Sequence, residues 1–269
     1  MTLVGGACSA ASWATISDFE QAPVETDAVV VLGTTTSLIV SPDESLDPER
    51  VAPPTAPTTT ACDQIVHIGD STSVGMIDPE FRVPPEQRID AQYARVGVTT
   101  VHLEIEGARS IVEGLPGQVN AHDVAAAYRE QGYDGCWVLA LGTTDTANVA
   151  VGSNVGRRER IDRMMSLIGD NPVIWVNART LVPSGAWSDE MMQAWNMTLV
   201  EATADYPNMA IYDWAAVADP SWFNPDQIHY TLAGNIERSR RLADALVRQL
   251  PGTAASGAAP YGAGDFPGN

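Results

Sequence analysis

The chain has 269 residues, enough for one domain of roughly 200 residues with extensions. It carries 34 acidic against 15 basic residues, a formal charge of −19, and every basic residue is arginine. Such an acid excess repels phosphate backbones and anionic lipid headgroups, which argues against nucleic acid or a charged membrane surface as partner and favours neutral or cationic substrates. No run of about 18 uninterrupted apolar residues is present to form a membrane span.

In chain order, residues 1–61 read as a tether, largely disordered, rather than as core. The opening MTLVGGACSAASWA contains Cys8 and small residues but lacks a charged n-region and a long apolar stretch. It reads either as the remnant of a signal or lipoprotein signal or as a loose terminus. Residues 28–32 form a short apolar run with the character of an edge strand. Residues 41–61 are rich in Pro, Thr and acid, and bury too little apolar surface to offset their ordering entropy. The folded unit is expected over 62–250, followed by a disordered Gly/Ala/Pro tail over 251–269.

Within 62–250, five short apolar runs predict buried strands at 65–68, 98–105, 136–141, 173–176 and 209–214. Helical patterns lie between them. Ile161, Met164, Met165 and Ile168 follow i, i+3, i+4, i+7 spacing, and Leu232, Ile236, Ala243, Leu246 and Leu250 mark a second stripe. Alternation of this kind predicts an α/β fold with a parallel sheet covered on both faces. Cys62 and Cys136 stand at similar distances before the glycines that end the first and third strands. If those strands are neighbours, a Cys62–Cys136 disulfide is geometrically reasonable and implies an oxidising compartment; the alternative is two buried free thiols.

Ligands of open α/β sheets bind beyond the carboxyl ends of the strands. At those ends stand Gly69-Asp70-Ser71, Glu106-Gly107-Ala108-Arg109-Ser110, Gly142-Thr143-Thr144-Asp145 and, before the last helix, Asp226-Gln227-Ile228-His229. Ser71 sits at a strand-to-helix turn, where its hydroxyl points outward and helix amides face a developing oxyanion. A serine hydroxyl needs a base. His229 is the best candidate, since His67 and His102 fall within strands and His122 on a helix face. Asp226, three residues before His229, suits the role of holding the imidazole tautomer. Alone, however, a Gly-Asp-Ser is usually a turn, and an Asp-x-x-His is usually a helix cap beside a surface histidine.

Together, VHIGDSTSVG, EGARS, LGTTD and PDQIHYT resemble the four sequence blocks of the SGNH (GDSL-type) hydrolase superfamily, in order and spacing over about 63–249. GARSIVEG, WVLALGT and the stretch from DWAAVADPSWF to IHYT look closest to the extracellular SGNH domains of actinobacterial cell-envelope acyltransferases. The resemblance implies a three-layer α/β/α sandwich with a central parallel five-stranded, flavodoxin-like sheet. It also implies Ser71, Asp226 and His229 as the catalytic set, and an oxyanion hole from the Ser71 amide, the Gly107 amide and a third-block side chain. That last position is normally Asn and here is Thr144, a shorter donor, with Asn148 one turn later as a substitute. Arg109, Asp70 and Asp145 are candidate substrate contacts, although Arg109 could instead form a salt bridge to Asp145 or a helix acid. Trp187 and Trp222 are either a sugar-stacking wall or packing.

The implied reaction is hydrolysis or transfer of O-acyl esters, acetyl first among them, on cell-envelope carbohydrate. The alternatives are a general small-ester or lipid esterase and a catalytically weak glycan-binding module. No metal-binding pattern or phosphate loop is present, and this chemistry needs no cofactor. The expected protein is a secreted or envelope-attached monomer acting on acylated carbohydrate or a small ester, with a separate membrane acyltransferase as a possible partner.

Overall fold

A computed structural model describes residues 58–252. The edge strand expected at 28–32, Cys8, and most of the proposed tether and tail lie outside the described residues. Thr60, assigned to the tether, is already part of the fold: its amide donates to Val96 O (2.9 Å), and it bridges Pro251 in antiparallel fashion.

All five strands are present: β1 (Gln64–Gly69), β2 (Thr100–Ile105), β3 (Cys136–Ala140), β4 (Val173–Val176) and β5 (Met209–Tyr212). They form one sheet of order β2-β1-β3-β4-β5 with every pairing parallel. The helices are α1 (Ser71–Val74), α2 (Ile89–Arg95), α3 (Ala121–Glu130), α4 (Thr143–Ala150), α5 (Arg157–Ile168), α6 (Asp189–Ala202), α7 (Trp214–Val217) and α8 (Leu232–Gln249). The strand expected to run to Trp214 stops at Tyr212. Asp213 accepts a hydrogen bond from the Ala216 amide and caps α7, so the chain turns helical two residues early. Residues 98 and 99 likewise precede β2, because the Val98 amide is drawn to Tyr93 O at the end of α2.

The period of two along each strand sends alternate side chains to opposite faces. Val66, Ile68, Trp137, Leu139, Val173 and Trp175 join the buried faces of α3, α5 and α6 in one core. Ile65, Val138, Ala140, Ile174 and Val176 join α2 and α8 in the other. This is the three-layer α/β/α sandwich. The stripe Ile161, Met164, Met165, Ile168 is fully buried as its spacing predicts. Leu232 departs from its stripe and is 46% exposed at the first turn of α8, where Asn235, Arg238 and Ser239 take the buried positions.

Cys62 and Cys136 form a disulfide with a Cα–Cα distance of 5.8 Å. The register pairs Ile65 with Cys136, so the bridge ties the amino ends of β1 and β3. Closing a loop this long stabilises by about 4 kcal/mol in the chain-entropy account. The opposite end of the sheet is left for the polar groups.

Candidate active site

Ser71 opens the single-turn helix α1 directly after β1. Asp70 caps that helix from an extended conformation, its carboxylate accepting from Thr72 N (2.9 Å) and Thr72 Oγ1 (2.7 Å). Expected as a substrate contact, Asp70 is instead completely buried and occupied with holding the serine turn. Beneath it, the buried Arg238 donates to Tyr230 Oη (2.9 Å) and to Thr72 Oγ1 (3.5 Å), and lies over the rings of Trp214 and Tyr230.

His229 arrives from the far end of the chain on a loop closed by the Phe223–Tyr230 bridge. The Asn224 amide donates to His229 O (2.7 Å), and its side chain donates to Tyr230 O (3.1 Å). Gln227 adopts a left-handed φ of 64°, reversing the chain so that Asp226 and His229 stand side by side. Asp226 Oδ1 accepts the Ile228 and His229 amides, both at 3.0 Å, while Oδ2 lies 2.7 Å from His229 Nδ1. His229 Nε2 lies 2.9 Å from Ser71 Oγ.

Burial raises the Asp226 pKa, but the Ile228 amide, the His229 side chain and the His229 amide outweigh it and hold the carboxyl below its usual range. An ionised carboxylate can only accept. Nδ1 therefore carries the proton, and Nε2 is free to accept from the serine hydroxyl. Ser71, His229 and Asp226 thus form one continuous donor–acceptor chain, able to move a proton off the hydroxyl as the oxygen attacks.

The other histidines lie apart from it. His67 is buried, its Nδ1 bonded to Tyr93 Oη (3.0 Å), and burial, aided by Arg238, lowers its pKa to about 3. His102 packs against Tyr128 and Tyr133, and His122 pairs with Asp123.

Gly107 lies in the loop after β2, in a turn closed by Arg109 N to Glu106 O (3.4 Å). Its φ is not positive, and a Cβ added there meets nothing within 4 Å. Neither backbone conformation nor packing demands a glycine, so the open space is its structural attribute. Gly142, by contrast, has φ 141°, and its Cβ would lie 2.3 Å from Trp195 Nε1. Thr144, the second residue of α4, is 6% exposed, with a hydroxyl sealed from solvent and without a hydrogen-bond partner among the described residues.

Three further expectations are corrected. Arg109 is 5% exposed and staples its own loop, donating to Val119 O (2.6 Å) and Glu106 Oε2 (2.8 Å); it is not available as a substrate fork. Asp145 is completely buried and accepts from the Ile111 amide (2.9 Å) and Arg160 (2.8 Å). Burial raises its pKa to about 6 against the Ile111 and Arg160 hydrogen bonds. Asn148 donates to Glu113 (3.0 Å), so its amide is committed elsewhere than the serine. Trp222 stacks on Trp214 and packs against the core, whereas Trp187 is 37% exposed.

Sequence reasoning missed Arg160, Glu113 and Arg238. The available signal for Arg160 was its place at i, i+4, i+8 with Met164 and Ile168, a charge set within an apolar stripe.

No protein-family model matches the sequence, and no curated protein does. Among solved structures, similar folds include a carbohydrate acetylesterase family member from Sinorhizobium meliloti (TM-score 0.54, 17% identity, covering 70% of this chain and 99% of that one). An inhibitor-bound aryl esterase of M. smegmatis is similar with TM-score 0.55 at 18% identity, over 70% of this chain and 99% of that one. A lipase/acylhydrolase from Enterococcus faecalis is similar with TM-score 0.53 at 18% identity, over 71% and 99%. The fold is that of the SGNH hydrolases.

Proposed function

We propose that the chain is a serine-dependent esterase or acyltransferase that cleaves or transfers O-acyl groups, acetyl foremost, on cell-envelope carbohydrate. The hydrogen-bonded chain Ser71–His229–Asp226 carries this reading. In the proposed reaction Ser71 Oγ attacks the ester carbonyl carbon while its proton passes to His229 Nε2. The tetrahedral oxyanion faces the Ser71 and Gly107 amides. The alcohol leaves with the proton from His229, and the acyl group stays on Ser71. Water or a sugar hydroxyl then gives its proton to His229 and attacks the acyl-serine; the acyl–Oγ bond breaks, His229 returns the proton to Ser71 Oγ, and the acid or the new ester is released.

The carbohydrate preference rests on the fold shared with the S. meliloti carbohydrate acetylesterase. An extracytoplasmic location rests on the disulfide, which persists in oxidising compartments. Thr144 is the third oxyanion position of the resemblance. Its sealed hydroxyl favours a second reading, a glycan-binding module with little or no turnover.

Turnover of p-nitrophenyl acetate, beside Ser71→Ala, with mass spectrometry after a serine-directed phosphonate, decides between them. One adduct on Ser71, and a loss of kcat on the order of 10⁴-fold or more in Ser71→Ala, supports the enzyme. No turnover and no adduct in the folded protein leaves the glycan-binding reading.

A further inference from the structure

We infer that Arg160, on α5 and outside all four sequence blocks, is a positioning residue that fixes the two candidate oxyanion segments, the Gly107 loop and the Thr144 turn, relative to one another. The inference rests on the acyl-transfer reading above.

Arg160 is completely buried, and every one of its five N–H donors has an acceptor. Nε donates to Val155 O (3.0 Å). Nη1 donates to both Glu113 Oε2 (2.6 Å) and Asp145 Oδ1 (2.8 Å). Nη2 donates to Glu113 Oε1 and to Ser153 Oγ (2.7 Å). Each carboxylate sits on one candidate oxyanion segment and bonds to the other. Glu113 lies in the loop that begins at Gly107, and also accepts Ser110 Oγ (2.9 Å) from that loop and Asn148 Nδ2 (3.0 Å) from α4. Asp145 follows Thr144 directly, and the same Oδ1 that meets Arg160 accepts the Ile111 amide of the loop (2.9 Å). One guanidinium therefore spans both segments.

The loop needs such a restraint. Ala108, next to Gly107, sits at φ 58°, a conformation that a non-glycine residue keeps only when its surroundings impose it. Lysine, with three donors on a point charge, cannot reproduce the planar fork.

The test compares full-length Arg160→Lys, Glu113→Gln and the surface control Arg163→Lys for kcat and KM on p-nitrophenyl acetate. Hydrogen exchange is measured over residues 106–113 of each variant. Glu113 is 37% exposed, so Glu113→Gln keeps the test available if Arg160→Lys does not fold. The expected result for Arg160→Lys and Glu113→Gln is a ~10- to 100-fold fall in kcat with KM within about twofold, and faster exchange across the loop. Arg163→Lys should match the wild-type protein in both readouts. Wild-type kcat in variants whose loop exchange has risen overturns the inference, and so does unchanged exchange. A wild-type protein without esterase turnover overturns the enzymatic reading instead. Loop exchange in the variants then stands as the deciding measurement for the clamp, upholding it if faster and overturning it if unchanged.

Discussion

The amino ends of β1 and β3 are joined by the Cys62–Cys136 bridge, and Tyr133 Oη donates to Cys136 O (2.8 Å) beside it. The carboxyl ends of the same strands lead into Asp70, Ser73, Thr144, Asp145 and Thr146. Each of these has a buried oxygen without a partner among the described residues. A buried polar atom left unpaired costs about 1–3 kcal/mol, while a long-loop disulfide stabilises by a few. One end of the sheet thus contributes stability that the other end gives up. The end of the sheet that carries the candidate site is built at the expense of local stability, and the opposite end offsets it.

That contrast can be broken at either end. The largest expected effect is at the carboxyl end. Asp226→Asn keeps the size of the side chain but lets an amide donate to Nδ1. The wrong tautomer then faces Ser71, and kcat should fall about 10⁴-fold with little change in melting temperature. An unchanged kcat would remove Asp226 from the proposed mechanism.

At the amino end, replacing both Cys62 and Cys136 by Ser should lower stability by about 4 kcal/mol, a fall of roughly 8–16 °C in the melting temperature. Turnover of the folded fraction at 25 °C should match the wild-type value. A loss of kcat matching the loss of stability would show that the two ends are not separable.

Gly107→Ala is a smaller probe. The added Cβ has ordinary φ and no protein neighbour within 4 Å, so the melting temperature should hold. If the acyl oxygen occupies that space, kcat should fall about tenfold or more. Full activity would place the reacting ester elsewhere.

The smallest effect is a pH-dependent one at Glu113. Burial raises its pKa, but hydrogen bonds from Arg160, Ser153 and Ser110 outweigh burial and lower it to about 2 from 4.5. A depressed folded-state value means that the ionised carboxylate stabilises the fold above pH 4.5, and that this contribution is lost as pH falls toward 2. Melting curves of the wild-type protein and Glu113→Gln should therefore differ at neutral pH and converge in acid. Asp145, raised to about 6, works in the opposite direction; it shares Arg160 with Glu113, so the difference between the two proteins reports the coupled pair. A gap that is constant with pH would break this assignment.

Much of the fold could be read along the chain. The five strands stand within a few residues of their apolar runs, and the α5 stripe is buried as its spacing demands. The errors fall where a local pattern meets a competing partner. Trp214 looks like the end of a strand until Asp213 caps a helix before it. Arg109 and Asp145 stand at the sheet edge where substrate contacts are expected, yet each is consumed by protein partners. Ser71, Asp226 and His229 could be named because turn residues and block spacing lie within short stretches of sequence.

By itself, then, the sequence determined the alternation of strands and helices, the parallel sheet, and the collection of Ser71, Gly107, Thr144, Asp226 and His229 at the strand ends. Periodicity and turn chemistry are short-range properties, and parallel strand direction follows from the helical crossovers between strands. Only the tertiary structure decided which polar groups are buried, and against what. Arg160 meets Glu113 across 47 positions of sequence, and His229 meets Ser71 across 158. Burial, ionisation and pairing belong to the packed neighbourhood, which no local stretch of chain contains.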